Sequence, residues 1–201
     1  MSINKAQPAY EEASDERLCE LARGGDRDAE ERLVSRYNRL VRQLARPFYL
    51  AGGDSDDLIQ EGMIGLIHGV REYDAARAAS FRTYAEICIR NRLYSAVRAA
   101  ARDKHWPLNQ SVPLDIPFFD SRTVEPEYLV IGREDARDTL RGVRKQLSEF
   151  EAKILGYYLD GLTTREMAEA VHKSPKSVDN AVQRIRRKIA RHLTSGDLSG
   201  G

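Results

Sequence analysis

Four of the seven prolines fall between Trp106 and Pro126, at Pro107, Pro113, Pro117 and Pro126. Proline lacks the amide that a helix needs and pushes the residue before it into extended geometry, so no helix or central strand crosses this stretch. The chain is thereby divided in two. On either side glycine and proline are sparse, apolar residues recur at three- and four-residue steps, and few stretches alternate with period two. The predicted fold class is all-α: two helical domains joined by an extended acidic linker. The predicted boundaries are 13–105 for the first domain, 106–135 for the linker, 136–193 for the second domain and 194–201 for a flexible tail. The linker's apolar residues, Trp106, Leu108, Leu114, Phe118 and Phe119, are too many for a wholly solvated tether and predict docking on another surface.

Ser14 is an N-cap, Gly24-Gly25 breaks the helix it starts, and Asp26 caps the next. That helix sets Leu33, Val34, Tyr37, Leu40, Val41, Leu44 and Ala45 on one stripe. Gly52-Gly53 opens a loop. Residues 54–57 supply caps and first-turn acids for a helix reaching about Tyr73. Another helix runs from Ser80 to about Arg102.

The formal net charge of +1 hides a segregation. Basic and acidic residues number 10 and 15 up to Ala76, 7 and 2 from Arg77 to Pro107, 3 and 7 from Leu108 to Thr139, and 12 and 6 from Leu140 to Leu193. Two basic blocks between acidic ones suit two polyanion contacts and at least one further partner, although solvated helix faces would give the same pattern.

No apolar run approaches the ~18–20 residues of a membrane helix, and Met1–Tyr10 has no apolar core of a secretory signal. Two cysteines, Cys19 and Cys88, exclude a disulfide scaffold and point to a reducing, cytoplasmic setting. His68, His105, His172 and His192 have no metal-binding spacing, and there is no glycine-rich phosphate loop or nucleophile elbow. No metal, no cofactor and no enzymatic activity are expected.

In the C-terminal block, Leu147, Phe150, Ile154, Leu155 and Tyr158 share a helix face that stops at Gly161, a left-handed cap. Thr163 and Glu166 form a capping box for a short helix, and Ser174-Pro175 starts another. That last helix turns Val178, Ala181, Val182, Ile185, Ile189 and Leu193 inward and Lys176, Ser177, Asp179, Asn180, Gln183, Arg184, Arg187 and Lys188 outward. A short helix, a tight turn and a capped helix with a basic, amide-bearing face make a DNA-reading helix-turn-helix. In the central helix, Phe81, Ala85, Ile89, Leu93, Ala96, Val97 and Ala100 form an apolar face. Tyr84, Ile87, Cys88, Asn91, Tyr94 and Arg98 form a second, mixed face. Aromatic rings among arginines suit single-stranded nucleic acid, and equally suit ordinary boundary residues beneath snorkelling arginines.

The run Asp57-Leu58-Ile59-Gln60-Glu61-Gly62, then Ile64-Gly65-Leu66, resembles a segment of the bacterial RNA polymerase sigma factors of the housekeeping superfamily. Phe81-Arg82-Thr83-Tyr84-Ala85 resembles that family's promoter-opening segment, and Leu147 to Leu193 its fourth region. His105-x-Pro107-Leu108-Asn109, Leu114-Asp115-x-Pro117 and Lys176-Ser177-Val178-Asp179-Asn180 are similar to the sporulation and stationary-phase sigma-H type. The resemblance implies a dissociable initiation subunit. Its partners would be core RNA polymerase, through the clamp coiled coil of the large subunit, and promoter DNA as duplex and melted single strand. An inhibitory anti-sigma factor is implied as well.

By match, Asp57, Gln60, Glu61 and Met63 would hold the polymerase. Phe81, Thr83, Tyr84, Ile87, Cys88, Arg90, Asn91, Tyr94 and Arg98 would serve the minus-ten element. Lys176, Ser177, Asp179, Asn180, Gln183, Arg184, Arg187 and Lys188 would serve the minus-thirty-five element. Ile87 and Cys88 stand where the housekeeping pattern has two tryptophans, which implies weaker melting and a specialised promoter set. Asp115, Asp120, Glu125 and Glu127 would line a linker threading toward the polymerase active site. The alternative reading is a stand-alone helix-turn-helix regulator, which would dimerise and want palindromic half-sites.

Overall fold

In a computed structural model of the chain, the described residues are 7–50, 55–77, 80–103 and 145–196, and all regular structure among them is helical. The order is α1 (Gln7–Glu12), α2 (Asp15–Arg23), α3 (Arg27–Leu50), α4 (Ser55–Glu72), a 3₁₀ turn (Ala75–Arg77), α5 (Phe81–Asp103), α6 (Glu149–Leu159), α7 (Thr164–Ala170) and α8 (Pro175–Gly196). The linker at 106–135 with its apolar and acidic side chains, the loop at Gly52-Gly53 and the cap at Asp54 lie outside the described residues. Helix α8 continues to Gly196, into the segment expected as a tail, because no breaker precedes that glycine.

The N-terminal core is built from the stripe expected on α3, where Leu33, Tyr37, Val41 and Ala45 are buried. They meet Leu18 and Cys19 of α2, Leu66 and Val70 of α4, and Phe81, Ala85, Ile89 and Leu93 of α5. Phe81 is the hub: its ring stands edge-on to Tyr37 at 5.1 Å and to Tyr73 at 5.3 Å. Such edge-to-face pairs add about 0.5–1.5 kcal/mol beyond area burial. Helices α4 and α5 pack most closely at Gly65, where a Cβ would stand 2.8 Å from the Cys88 carbonyl oxygen and 3.1 Å from Ile89 Cα. Glycine is needed here because the neighbour is backbone and cannot step aside.

Helix α1 was not foreseen from the sequence. Its terminal carbonyls are held by Arg36 of α3, whose guanidinium donates to the carbonyl oxygens of Tyr10 (2.9 Å), Glu11 (2.8 Å) and Ala13 (2.8 Å) and to Asp15 (2.7 Å). A cation at the end of a helix satisfies carbonyls that have no partner within it and meets the negative end of the dipole.

The C-terminal core gathers Ile154, Leu155 and Tyr158 of α6, Met167 and Ala168 of α7, and Val178, Ala181, Val182, Ile185 and Ile189 of α8. The two domains touch where α3 meets the α6–α7 turn. Arg39 Nε and Gln43 Nε2 donate to the Asp160 carbonyl at 2.8 and 3.0 Å, and Arg42 Nε donates to that of Gly161 at 2.6 Å. Arg46 donates to the carbonyls of Tyr158 and Leu162, the latter at 2.6 Å, with its guanidinium 4.2 Å from the Tyr158 ring centroid.

Candidate nucleic-acid interface

The helix-turn-helix is set by three caps. Ser148 and Glu151 form a reciprocal box at the start of α6, and Thr163 and Glu166 form another at the start of α7. The second box was expected from its spacing; the first was legible in the same S-x-x-E pattern but was not singled out. Ser174 Oγ accepts from the Ser177 amide at 3.3 Å, with Pro175 as the first residue of α8. Gly161 adopts the left-handed conformation expected of it, at φ +81°. The turn between α7 and α8 uses His172 at φ +53°, a non-glycine residue in the left-handed region. That conformation costs about 1–2 kcal/mol, and no sequence signal marked it.

Pinned this way, α8 buries Val178, Ala181, Val182, Ile185 and Ile189 of the expected apolar face, the Leu193 side chain lying outside the described ones, and leaves Lys176, Asp179, Asn180, Gln183, Arg184 and Arg187 exposed, with Ser177 and Lys188 half-buried. Arg184 Nε lies 3.1 Å and Lys188 Nζ 2.7 Å from the carboxylate of Glu151, which is itself buried. Burial alone would push the Glu151 carboxyl up. The bonds from Lys188, the Ser148 amide and Arg184 outweigh it and hold the group down at about 2. The two cations thus tie α8 to α6 at the edge of the face assigned to DNA. Asp179 accepts from the Thr164 hydroxyl at 3.3 Å, linking α8 to α7.

On α5 the expected minus-ten residues separate into two groups. Phe81, expected among the minus-ten residues, has no exposed surface; its ring is packed into the core beneath that face. Thr83 and Arg98 are exposed, while Tyr84, Ile87, Cys88, Arg90, Asn91 and Tyr94 are half-buried. The Tyr84 ring leans on Tyr73 at 5.7 Å, and the Tyr94 ring meets Phe48 edge-on at 5.3 Å. Each tyrosine is therefore oriented by a second ring. Arg90 pairs with Glu86 at 2.7 Å, whereas Arg82 at the start of α5 is exposed. Burial pushes the Cys88 thiol up, away from the thiolate form.

On α4, Asp57 and Gln60 are exposed, and Glu61 is half-buried and paired with Arg92 of α5 at 2.5 Å. Met63, expected beside the polar contacts, is half-buried against the core. The exposed apolar side chain is its neighbour Ile64, 47% exposed and one turn beyond Gln60 and Glu61. Sequence reasoning missed Ile64 although the spacing from Asp57 through Gln60 to Ile64 is that of one helix face. Among the described residues, no group of three or more His, Cys, Asp or Glu is placed to hold a metal ion, and no helix is long and apolar enough to cross a membrane.

Residues 33–103 match the family model for Sigma-70 region 2, and residues 146–189 match that for Sigma-70, region 4. The RNA polymerase sigma-H factor of Bacillus licheniformis is 36% identical over 198 residues, covering 92% of this chain and 89% of that protein. The RNA polymerase sigma-H factor of Bacillus subtilis (strain 168) is 35% identical over 210 residues, covering 98% and 95%. The crystal structure of the RNA polymerase sigma-H factor from Fusobacterium nucleatum is 28% identical and covers 72% of this chain and 99% of that one, with a TM-score of 0.35. Two helical units, the second a helix-turn-helix with a basic outer face, define a DNA-binding protein of transcription initiation. The chain belongs to the sigma-70 family and is an RNA polymerase sigma factor. As such it works with core RNA polymerase and promoter DNA. A stand-alone regulator is not favoured, because the matching sigma factors align along nearly the whole chain.

Proposed function

We propose that α4 grips the clamp coiled coil of the polymerase large subunit, that α5 reads the minus-ten element and helps to melt it, and that α8 reads the minus-thirty-five element. The observation behind this reading is that Asp57, Gln60 and Ile64 stand exposed on one side of α4 while its other side is committed to the core. An apolar side chain flanked by carboxylate and amide groups suits a partner helix that is basic around an apolar seam. An anti-sigma factor would compete best by covering the same face.

On α5, Tyr84 and Tyr94 offer rings for bases freed from the duplex, with Arg82 and Arg98 following the backbone. Without large rings at Ile87 and Cys88 the wedge is small, which suits a narrow promoter set. On α8, Lys176 and Arg187 hold phosphates, while Asn180 and Gln183 lie where amides fork onto base edges. Nucleotide addition stays with the polymerase, and the setting is cytoplasmic.

The double variant Asp57→Ala, Gln60→Ala leaves the Arg92–Glu61 pair in place. It is expected to weaken binding to core polymerase at least tenfold with unchanged helix content by circular dichroism. Unchanged affinity would refute the assignment. Gln183→Ala is expected to relax discrimination at one upstream base pair by about 1–3 kcal/mol.

A further inference from the structure

We propose that Asp179 of α8 is a specificity-determining residue for the upstream element, with Thr164 of α7 as its positioning residue. The Asp179 carboxylate accepts the amino group of a cytosine and rejects the other three bases at that place. This role depends on the assignment of α8 to the minus-thirty-five element and selects one base within it. Asp179 is the one acid among the 22 residues of α8, against six lysines and arginines. It is exposed, beside Asn180 and one turn before Gln183. Helix stability gives no reason for a carboxylate there. Ser174 supplies the cap, and Asp179 is the fifth helical residue, past the first turn where an acid gains from the dipole. Aspartate is also a poor residue for a helix interior. Two cations of the same helix, Arg184 and Lys188, pair with Glu151 and not with Asp179. On a face that meets a polyanion, a carboxylate lowers affinity for every sequence that does not offer it a donor.

What Asp179 does have is a fixed aim. Thr164 Oγ1 donates to its Oδ1 at 3.3 Å, from the first helix of the helix-turn-helix to the second. Thr164 is half-buried at the start of α7, and a β-branched side chain has few rotamers. Its hydroxyl therefore holds the carboxylate in place and leaves Oδ2 to accept from outside the protein. In the major groove only adenine N6 and cytosine N4 are amino groups. Guanine presents N7 and O6 and thymine presents O4, acceptors that repel a carboxylate. Adenine N6 lies beside N7, a further acceptor, and is matched by an amide that both donates and accepts. Cytosine N4 has no acceptor beside it on its own base in that groove, so a group that only accepts fits cytosine.

The test uses holoenzyme assembled from core polymerase and the full chain, on a promoter library randomised through the upstream element. Relative transcript yield is read at each base pair. Wild type is expected to favour cytosine about tenfold at one position. Asp179→Ala is expected to flatten that position alone. Asp179→Asn, nearly the same in shape, is expected to move the preference there to adenine. Thr164→Val keeps the shape and removes the hydroxyl, and is expected to reduce the cytosine preference about threefold, with Thr164→Ser restoring it. A cytosine preference that survives Asp179→Asn would overturn the proposal, even if Asp179→Ala were inactive. Flattening at every position in both Asp179 variants would overturn it too, by showing a structural role. Full preference in Thr164→Val would overturn the positioning role. If wild type chooses start sites with no preference at any upstream base pair, the assignment of α8 itself fails. That result is distinct from upstream preferences that persist unchanged without Asp179, which defeat only the role given to this residue.

Discussion

Glu151 shows how one buried carboxylate can organise a reading head. It receives Ser148 at the α6 cap and ties down Arg184 and Lys188 of α8, so the angle between α6 and α8 depends on its charge. Its folded value of about 2 lies below its ordinary value, so the stability it contributes is present above about pH 4.5 and is lost as pH falls toward 2. Glu151→Gln is expected to cost about 2–3 kcal/mol at pH 7. It should also remove the slice of acid sensitivity between about pH 4.5 and 2. Urea unfolding of wild type and variant at pH 7 and pH 3 checks this; equal loss of stability on acidification would show that Glu151 is not the titrating group.

At the scale of elements, the glycine in the α4 motif has a packing reason. Gly65→Ala adds a methyl group 2.8 Å from a backbone oxygen of α5 and 2.9 Å from Arg92 Cβ. The intrinsic gain from alanine in a helix is under about 1 kcal/mol, and forcing two helices apart costs about 1–3 kcal/mol. A net loss of about 1–2 kcal/mol is expected in thermal unfolding; a rise in melting temperature would contradict the close packing.

Much at this scale was legible beforehand. The period-3.6 stripe of α3, the Thr163–Glu166 box and the cap at Gly161 each leave a local signature. The fate of Phe81 was half legible, since its place on the apolar face marked it for burial while motif resemblance placed it at DNA. Helix α1 was not legible, because it depends on Arg36 reaching across from α3. Nor was the burial of Arg46, since an arginine beside Pro47 has no local feature to show that its partners lie in the other domain.

For the whole molecule, the central claim is a division of labour. In the proposed division, one face of α4 would hold core polymerase, and stripes on α5 and α8 would hold two separate stretches of promoter DNA. The most direct measurement is transcript mapping in vitro, with core polymerase, this protein and a promoter library. Purified chain is expected to confer a discrete set of start sites, each preceded by two elements at fixed spacing, and Asp57→Ala, Gln60→Ala is expected to abolish the set. Start sites no different from those of core polymerase alone would contradict the claim.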